Sequence, residues 1–134
     1  MGAAVIAALE ACGDGQIGPP TGNGVDLGGR VNYDLKNYPG LQNVGTLVDI
    51  STSTAPDRAA IRTGATTFLA FSKLCTHQQC PTDIRSNEFQ CPCHNSRFDK
   101  TGAVLNGPNI PSPPIAPLSR LPTSFDGGSI LTVG

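Results

Sequence analysis

Four of the five cysteines and both histidines of this 134-residue chain fall between residues 75 and 99. The stretch reads C-T-H-Q-Q-C at 75–80 and C-P-C-H-N-S-R-F-D at 91–99. Thiolate and imidazole are the side chains that bind iron, zinc and copper most readily, and each half offers a Cys, a His and a second Cys. A Cys and a His two apart on a turn project from one side of it. Cys75 and His77 can therefore ligate neighbouring metal ions, and Cys91 and His94 can do the same from a facing loop. Two plainer readings use the same residue types. A structural zinc site with C-x-H and C-x-x-H ligands leaves Cys80, Cys93 and Ser96 without a role. A metal-free disulfide pair leaves both histidines without one.

The paired motif, C-x-H-x-x-C with C-x-C-H-x-S, resembles that of the Rieske iron–sulfur proteins, over roughly residues 44–133. The resemblance implies one [2Fe–2S] cluster with two cysteines on one iron and two histidines on the other. It places Cys75 and Cys91 on the buried iron and His77 and His94 on the outer one. It makes Cys80 and Cys93 a disulfide between the two cluster loops, and Ser96 a hydrogen-bond donor to a bridging sulfide. It makes 107–117, beginning Gly107-Pro108, the proline loop that covers the cluster.

Neutral histidines in place of two thiolates make such a cluster less negative and raise its potential. The range is about −150 to +300 mV, against about −400 mV for plant-type ferredoxins. The imidazole nitrogen not bound to iron can carry a proton whose affinity follows the iron's oxidation state, so electron and proton uptake are expected to be coupled. A disulfide argues for an oxidising compartment, and hence for the periplasmic or extracytoplasmic face of a bacterial membrane.

Three positions depart from the respiratory pattern. Phe98 stands where high-potential relatives have a tyrosine whose hydroxyl bonds a ligand sulfur, so an intermediate potential is expected. Gln78 stands where quinol-oxidising relatives often have an apolar residue. Gln79 replaces a glycine that tolerates unusual backbone angles.

The elements that must hold these loops read as short strands. At 44–50, Val44, Thr46, Val48 and Ile50 alternate with Leu47. Residues 59–63 suggest a short strand before the Gly64 turn, and 66–74 a stronger one that delivers Cys75. Residues 87–90 deliver Cys91, Arg97-Phe98 starts the return, and 103–105 follows a turn at 100–102. The prolines of 107–117 exclude a central strand. Residues 118–125 and 129–133 flank Asp126-Gly127-Gly128, a hairpin signal. The expected fold is all-β, an antiparallel Rieske-type sandwich with a small inserted cluster-binding subdomain over about 75–117 and no substantial helix.

The length suits one domain. Glycine and proline total 28 and charged residues are 14%, which fits many turns around a modest core. A net charge of −1 implies no nucleic-acid partner. Residues 1–12 are apolar but too short to span a bilayer, which takes about 20 residues. They suggest a signal-peptide remnant, and Leu9-Glu10-Ala11-Cys12-Gly13 resembles a lipobox with Cys12 lipidated, Glu10 being the departure. Residues 13–43 are expected to be a Gly/Pro-rich linker, and 44–134 the domain.

The resemblance thus implies a one-electron carrier, a redox subunit rather than a self-sufficient enzyme. Its first version is the iron–sulfur subunit of a quinol-oxidising membrane complex with a cytochrome partner. Its second is a stand-alone periplasmic or lipid-anchored carrier serving another oxidoreductase. With only two histidines, both taken by the cluster, it lacks the ligands for a catalytic oxygenase iron.

Overall fold

The computed structural model describes Asp26 and residues 28–134. The expectations that fall on residues 1–25, the lipidation of Cys12 among them, lie outside the described residues. Eleven strands follow in order: β1 Val31–Asp34, β2 Leu47–Asp49, β3 Arg58–Arg62, β4 Phe68–Ser72, β5 Asp83–Arg85, β6 Glu88–Gln90, β7 Arg97–Phe98, β8 Val104–Asn106, β9 Arg120–Leu121, β10 Thr123–Phe125 and β11 Ile130–Val133. The helical pieces among the described residues are two 3-10 turns, Leu35–Asn37 and Pro39–Gln42. No described helix is long and apolar enough to cross a membrane.

The strands form three antiparallel sheets. The central one has the order β9-β4-β3-β2, with β10-β11-β1 on one side and the cluster sheet β5-β6-β7-β8 on the other. The alternation along β3 and β4 explains the layering. Ala60, Phe68 and Ala70 face a core with Tyr33, Leu131 and Val133. Ala59, Ile61 and Phe71 face a second core with Phe89, Phe98, Leu118, Cys75 and Cys91. A strand buried on both faces has no polar side to show, so 59–61 reads as a plain apolar run. The Phe71 and Phe89 rings meet edge-on at 5.6 Å and join the central sheet to the cluster sheet.

The chain joins the fold earlier than residue 44. Residues 31–34 pair with β11 in the register Leu131↔Tyr33, and Tyr33, Leu35 and Leu41 are buried. The segment is too short for its alternation to stand out beside the glycines and prolines around it. A second tie lies further upstream. Arg58, fully buried on β3, donates to both carboxylate oxygens of Asp26 at 2.8 and 3.1 Å and to the Gly29 carbonyl at 2.7 Å. It also reaches the Val133 carbonyl on the last strand at 3.3 Å.

The sequence reading places 118–125 in a single strand. It is two, because Pro122 has no N–H to donate; β9 pairs with β4 and β10 with β11. Strand β2 is shorter than 44–50, with Val44 exposed and making only an isolated bridge to Arg62. Strand β5, not anticipated, turns into β6 through Ser86 and Asn87, both at positive φ (51° and 60°). That is the two-residue hairpin whose twist matches its strands. Asn87 also accepts from Leu47 N at 2.8 Å and donates to Gly45 O at 2.9 Å. Its amide acts as a surrogate peptide group and fixes the cluster sheet to the edge of the central one.

The two loops that carry the motif share one backbone design. In the first, Cys75 N donates to Cys80 O and Gln79 N to Cys75 O, both at 2.7 Å. In the second, Cys91 N donates to Ser96 O at 2.8 Å and Asn95 N to Cys91 O at 2.9 Å. The fifth residue of each loop, Gln79 and Asn95, has φ 62°. Asparagine suits this left-handed region and glutamine does not. The expected local departure at Gln79 is thus confined to strain at one residue, and the loop closes regardless.

Two stability predictions follow from these contacts. Asp26→Ala leaves the buried Arg58 charge unpaired and should lower unfolding free energy by about 3 kcal/mol, read by denaturant titration; a loss under about 1 kcal/mol would show that the pair is solvated. Gln79→Gly relieves the left-handed strain and should raise the thermal midpoint, by the equivalent of about 1 kcal/mol, whereas Asn95→Ala should lower it.

Candidate metal centre

Cys75 leaves the end of β4 through Lys73-Leu74, and Cys91 follows β6 directly. Both are free and buried, at 0% and 2% exposure. Cys80 and Cys93 form a disulfide across the two loops, with Cα atoms 6.5 Å apart and a sequence separation of 13. The half-buried rings of His77 and His94 face each other edge-on, with centroids 5.2 Å apart. All six motif residues therefore meet at one end of the cluster sheet.

Among the described residues, only three buried side-chain N or O atoms have no hydrogen-bond partner, and two of them lie here: His94 Nδ1 and Ser96 Oγ. Leaving a buried polar atom unpaired costs roughly 1–3 kcal/mol, so two of them beside a pair of buried thiols mark a missing partner. Burial pushes the Cys75 thiol up, and the neighbouring Cys91 sulfur adds to that shift. The Ser96 hydroxyl, though short of a full hydrogen bond, lies close enough to hold it back. A thiol ionises when a metal cation takes the place of its proton, so loading the site releases protons. The sulfurs of Cys80, Cys91 and Cys93 lie within 4.8 Å of one another. Two of these three are consumed by the disulfide, so this triplet is no ligand set. The donors left are two thiols and two imidazoles, with a hydroxyl alongside. They fit a cluster ligated by two cysteines and two histidines.

The surroundings are tied to both loops. Asn109 N donates to His94 O at 2.7 Å, and the Thr76 hydroxyl bonds the Ala116 carbonyl. The segment 107–117 is thus clasped at each end to one cluster loop, with Gly107 exposed and Pro108 half-buried. Phe98 is fully buried, paired with Phe89 across β6 and β7. Ser96 is fully buried, while Gln78 and Gln79 are exposed. Sequence reasoning missed Asn87, which it took for the start of a strand. The Ser-Asn pair between two short alternating runs, Asp83-Ile84-Arg85 and Glu88-Phe89-Gln90, was the available hairpin signal.

Comparison with known proteins gives a consistent result. The family model described as Rieske [2Fe-2S] domain matches residues 45–122. A carotenoid phi-ring synthase of Chlorobaculum tepidum is 32% identical over 123 residues, 89% of this chain and 18% of that protein. A cytochrome b6-f complex iron-sulfur subunit of Desmonostoc sp. is 30% identical over 105 residues, 67% of this chain and 56% of that subunit. A cytochrome bc1 complex Rieske iron-sulfur subunit of Corynebacterium glutamicum is 31% identical over 102 residues, 70% of this chain and 24% of that subunit. The chain thus spans between 18% and 56% of the length of these relatives. The crystal structure of the cyanobacterial plasma membrane Rieske protein PetC3 from Synechocystis PCC 6803 superposes with a TM-score of 0.52 at 26% identity. That match covers 82% of this chain and 98% of the other. With more than half of its residues matched by the family model and one end built from two thiols, two imidazoles and a linking disulfide, the chain belongs to the Rieske [2Fe–2S] domain family.

Proposed function

We propose that this chain is a one-electron carrier in which Cys75 and Cys91 hold the buried iron of a Rieske cluster and His77 and His94 the outer one. The observation that carries the assignment is the pair of loops closed by the same backbone hydrogen bonds. They bring two free buried thiols and two facing imidazoles to one end of the cluster sheet. The cluster, when bound, supplies reversible one-electron redox chemistry. The protein's own residues do the rest. Cys75 and Cys91, both buried, keep water from one side of the site. His77 and His94, half-buried, are the side chains through which a partner is reached, and a ring nitrogen left free of iron there can hold a proton. Ser96 Oγ is available to donate a hydrogen bond into the site. The Cys80–Cys93 disulfide fixes the two loops relative to each other and favours an extracytoplasmic location.

In the biological version we favour, the chain is the iron–sulfur subunit of a quinol–cytochrome reductase-like complex. The support is its similarity to the b6-f and bc1 subunits. A second version is a periplasmic carrier, anchored through a lipidated Cys12, that serves a different oxidoreductase. It is favoured by the match along 89% of the chain to a protein named as a carotenoid ring synthase.

Low-temperature EPR of the reduced protein, with a redox titration across pH, tests the assignment. A rhombic signal with an average g below the free-electron value is expected. A colourless, zinc-containing, EPR-silent protein would overturn the cluster reading. A midpoint above about +100 mV that falls with rising pH supports quinol oxidation, and a lower one the stand-alone carrier. In the same titration Phe98→Tyr should move the potential upward, by on the order of 60 mV for a tenfold change in equilibrium constant; an unchanged potential in a folded variant would remove that role for position 98.

A further inference from the structure

Among the described residues, Asn106 and Asp126 are each followed by a glycine. The pairing has a chemical meaning. A glycine nitrogen can approach the carbonyl carbon of the preceding side chain with no side chain of its own in the way. The fold treats the two sites differently. Asp126 Oδ1 accepts from the N–H groups of Gly128, Ser129 and Ile130 at 2.8, 3.0 and 3.1 Å, and Gly127 is held at φ 87°. That carboxylate is locked inside its turn. Asn106 is the last residue of β8, it is exposed, and its amide makes no hydrogen bond to another described residue. Gly107 is exposed and lies past the end of the strand, and a Cβ built on it would meet nothing within 4 Å. Pro108 has no N–H to donate. The next tie of the chain is the clasp of the proline segment, Asn109 N to His94 O at 2.7 Å.

We propose that Asn106-Gly107 is a self-modification site, at which the asparagine converts to isoaspartate and slackens the clasp of the proline segment on the His94 loop. The Gly107 nitrogen attacks Asn106 Cγ. A C–N bond forms, the Cγ–Nδ2 bond breaks, and the side-chain nitrogen leaves as ammonia with the Gly107 amide proton. Water then opens the five-membered imide. Attack at Cγ gives an ordinary aspartate. Attack at the main-chain carbonyl carbon leaves the backbone running through Cβ and Cγ, which is isoaspartate. No electrons are exchanged, and water is the one co-reactant. The two products differ in their effect. Position 106 lies opposite Arg97 in the β7–β8 register, so a new carboxylate there meets a cation across the strands, and ordinary aspartate leaves the backbone as it was. Isoaspartate adds one methylene to the main chain, three residues before the Asn109–His94 hydrogen bond. The inference does not depend on the carrier reading.

The test ages the cluster-loaded chain at mildly alkaline pH and, in parallel, the same chain unfolded in urea. Conversion is followed by tryptic mapping, with methylation by an isoaspartyl methyltransferase to identify the β-linked product. Trypsin separates residues 101–120 from 1–30, which hold the second Asn-Gly pair at Asn23-Gly24. A residue locked by folded-state contacts reacts only through local opening. Folding should therefore slow Asn106 by less than about tenfold, and Asn87, whose amide is bonded on both sides, by about a hundredfold or more. The ratio of folded to unfolded rates removes the intrinsic difference between the two sequences. Gly107→Ala, for which the space is open, should fold and slow the conversion at Asn106. Amide hydrogen exchange at Asn109 then reads the clasp. It should be about tenfold faster or more in the isoaspartate fraction than in the fresh chain, and unchanged in Asn106→Asp, which carries the charge on a normal backbone. Protection of Asn106 as strong as that of Asn87 would overturn the site. Equal Asn109 exchange in all three forms would overturn its effect on the clasp.

Discussion

Two six-residue loops closed by the same pair of backbone hydrogen bonds govern the rest of this structure. In each, the first cysteine N–H donates to the sixth residue's carbonyl while its own carbonyl accepts from the fifth residue. That closure demands a left-handed residue at the fifth position, and it spends the backbone's polar groups inside the loop. The side chains are then free to face the centre. It also requires each loop to start from a fixed strand end. The neck of the first is set by the Leu74–Pro81 bridge, and that of the second by the Gln90–Arg97 pair of β6 and β7. The cluster sheet exists to hold these two necks side by side.

Four short strands make a poor sheet alone, since an isolated hairpin is marginal in water and independent stability needs a hydrophobic face or further packing. The cluster sheet obtains its stability from the central sheet. Phe71 and Ile61 of that sheet share one core with Phe89, Phe98 and the two ligand-type cysteines, and the Asn87 amide pins the hairpin tip to the edge strand. The same strands supply the opposite core on their alternate residues. A disturbance at the metal site is therefore felt in packing that the whole domain uses. The left-handed turn at Gly102 shows how closely the layers fit. A Cβ there would meet the Phe71 ring at 2.9 Å.

The chemistry was more legible in the sequence than the architecture. Cys, His and Ser at fixed offsets announce themselves, because few other arrangements have a use for all of them. The longer strands and the Asp126-Gly127-Gly128 hairpin follow from alternation and turn chemistry, and Asp126 does accept from the N–H groups of Gly128, Ser129 and Ile130. What escaped is non-local. Asp26 looks like one polar residue among glycines until Arg58, 32 residues later, requires a carboxylate. Residues 31–34 become a strand because β11 offers an edge. Asn87 matters through a partner 40 residues away. None of these leaves a local period, so no window on the sequence contains the reason for them.

The disulfide illustrates why such contributions do not simply add. Closing the loop between Cys80 and Cys93 restricts the unfolded chain by roughly 3 kcal/mol on entropy grounds. Ligation of a cluster by residues 75 and 91 would close nearly the same loop, so the second closure finds little entropy left to remove. In the folded state, β5, β6 and β7 already hold the loop necks together. What the strands cannot do is keep the loop tips from spreading apart, since both tips lie beyond the last paired residues. Cys80 ends one loop and Cys93 sits at the middle of the other. The bridge ties the tip of the second loop, where strand pairing has stopped, to the closed end of the first, and so keeps the histidine rings opposed.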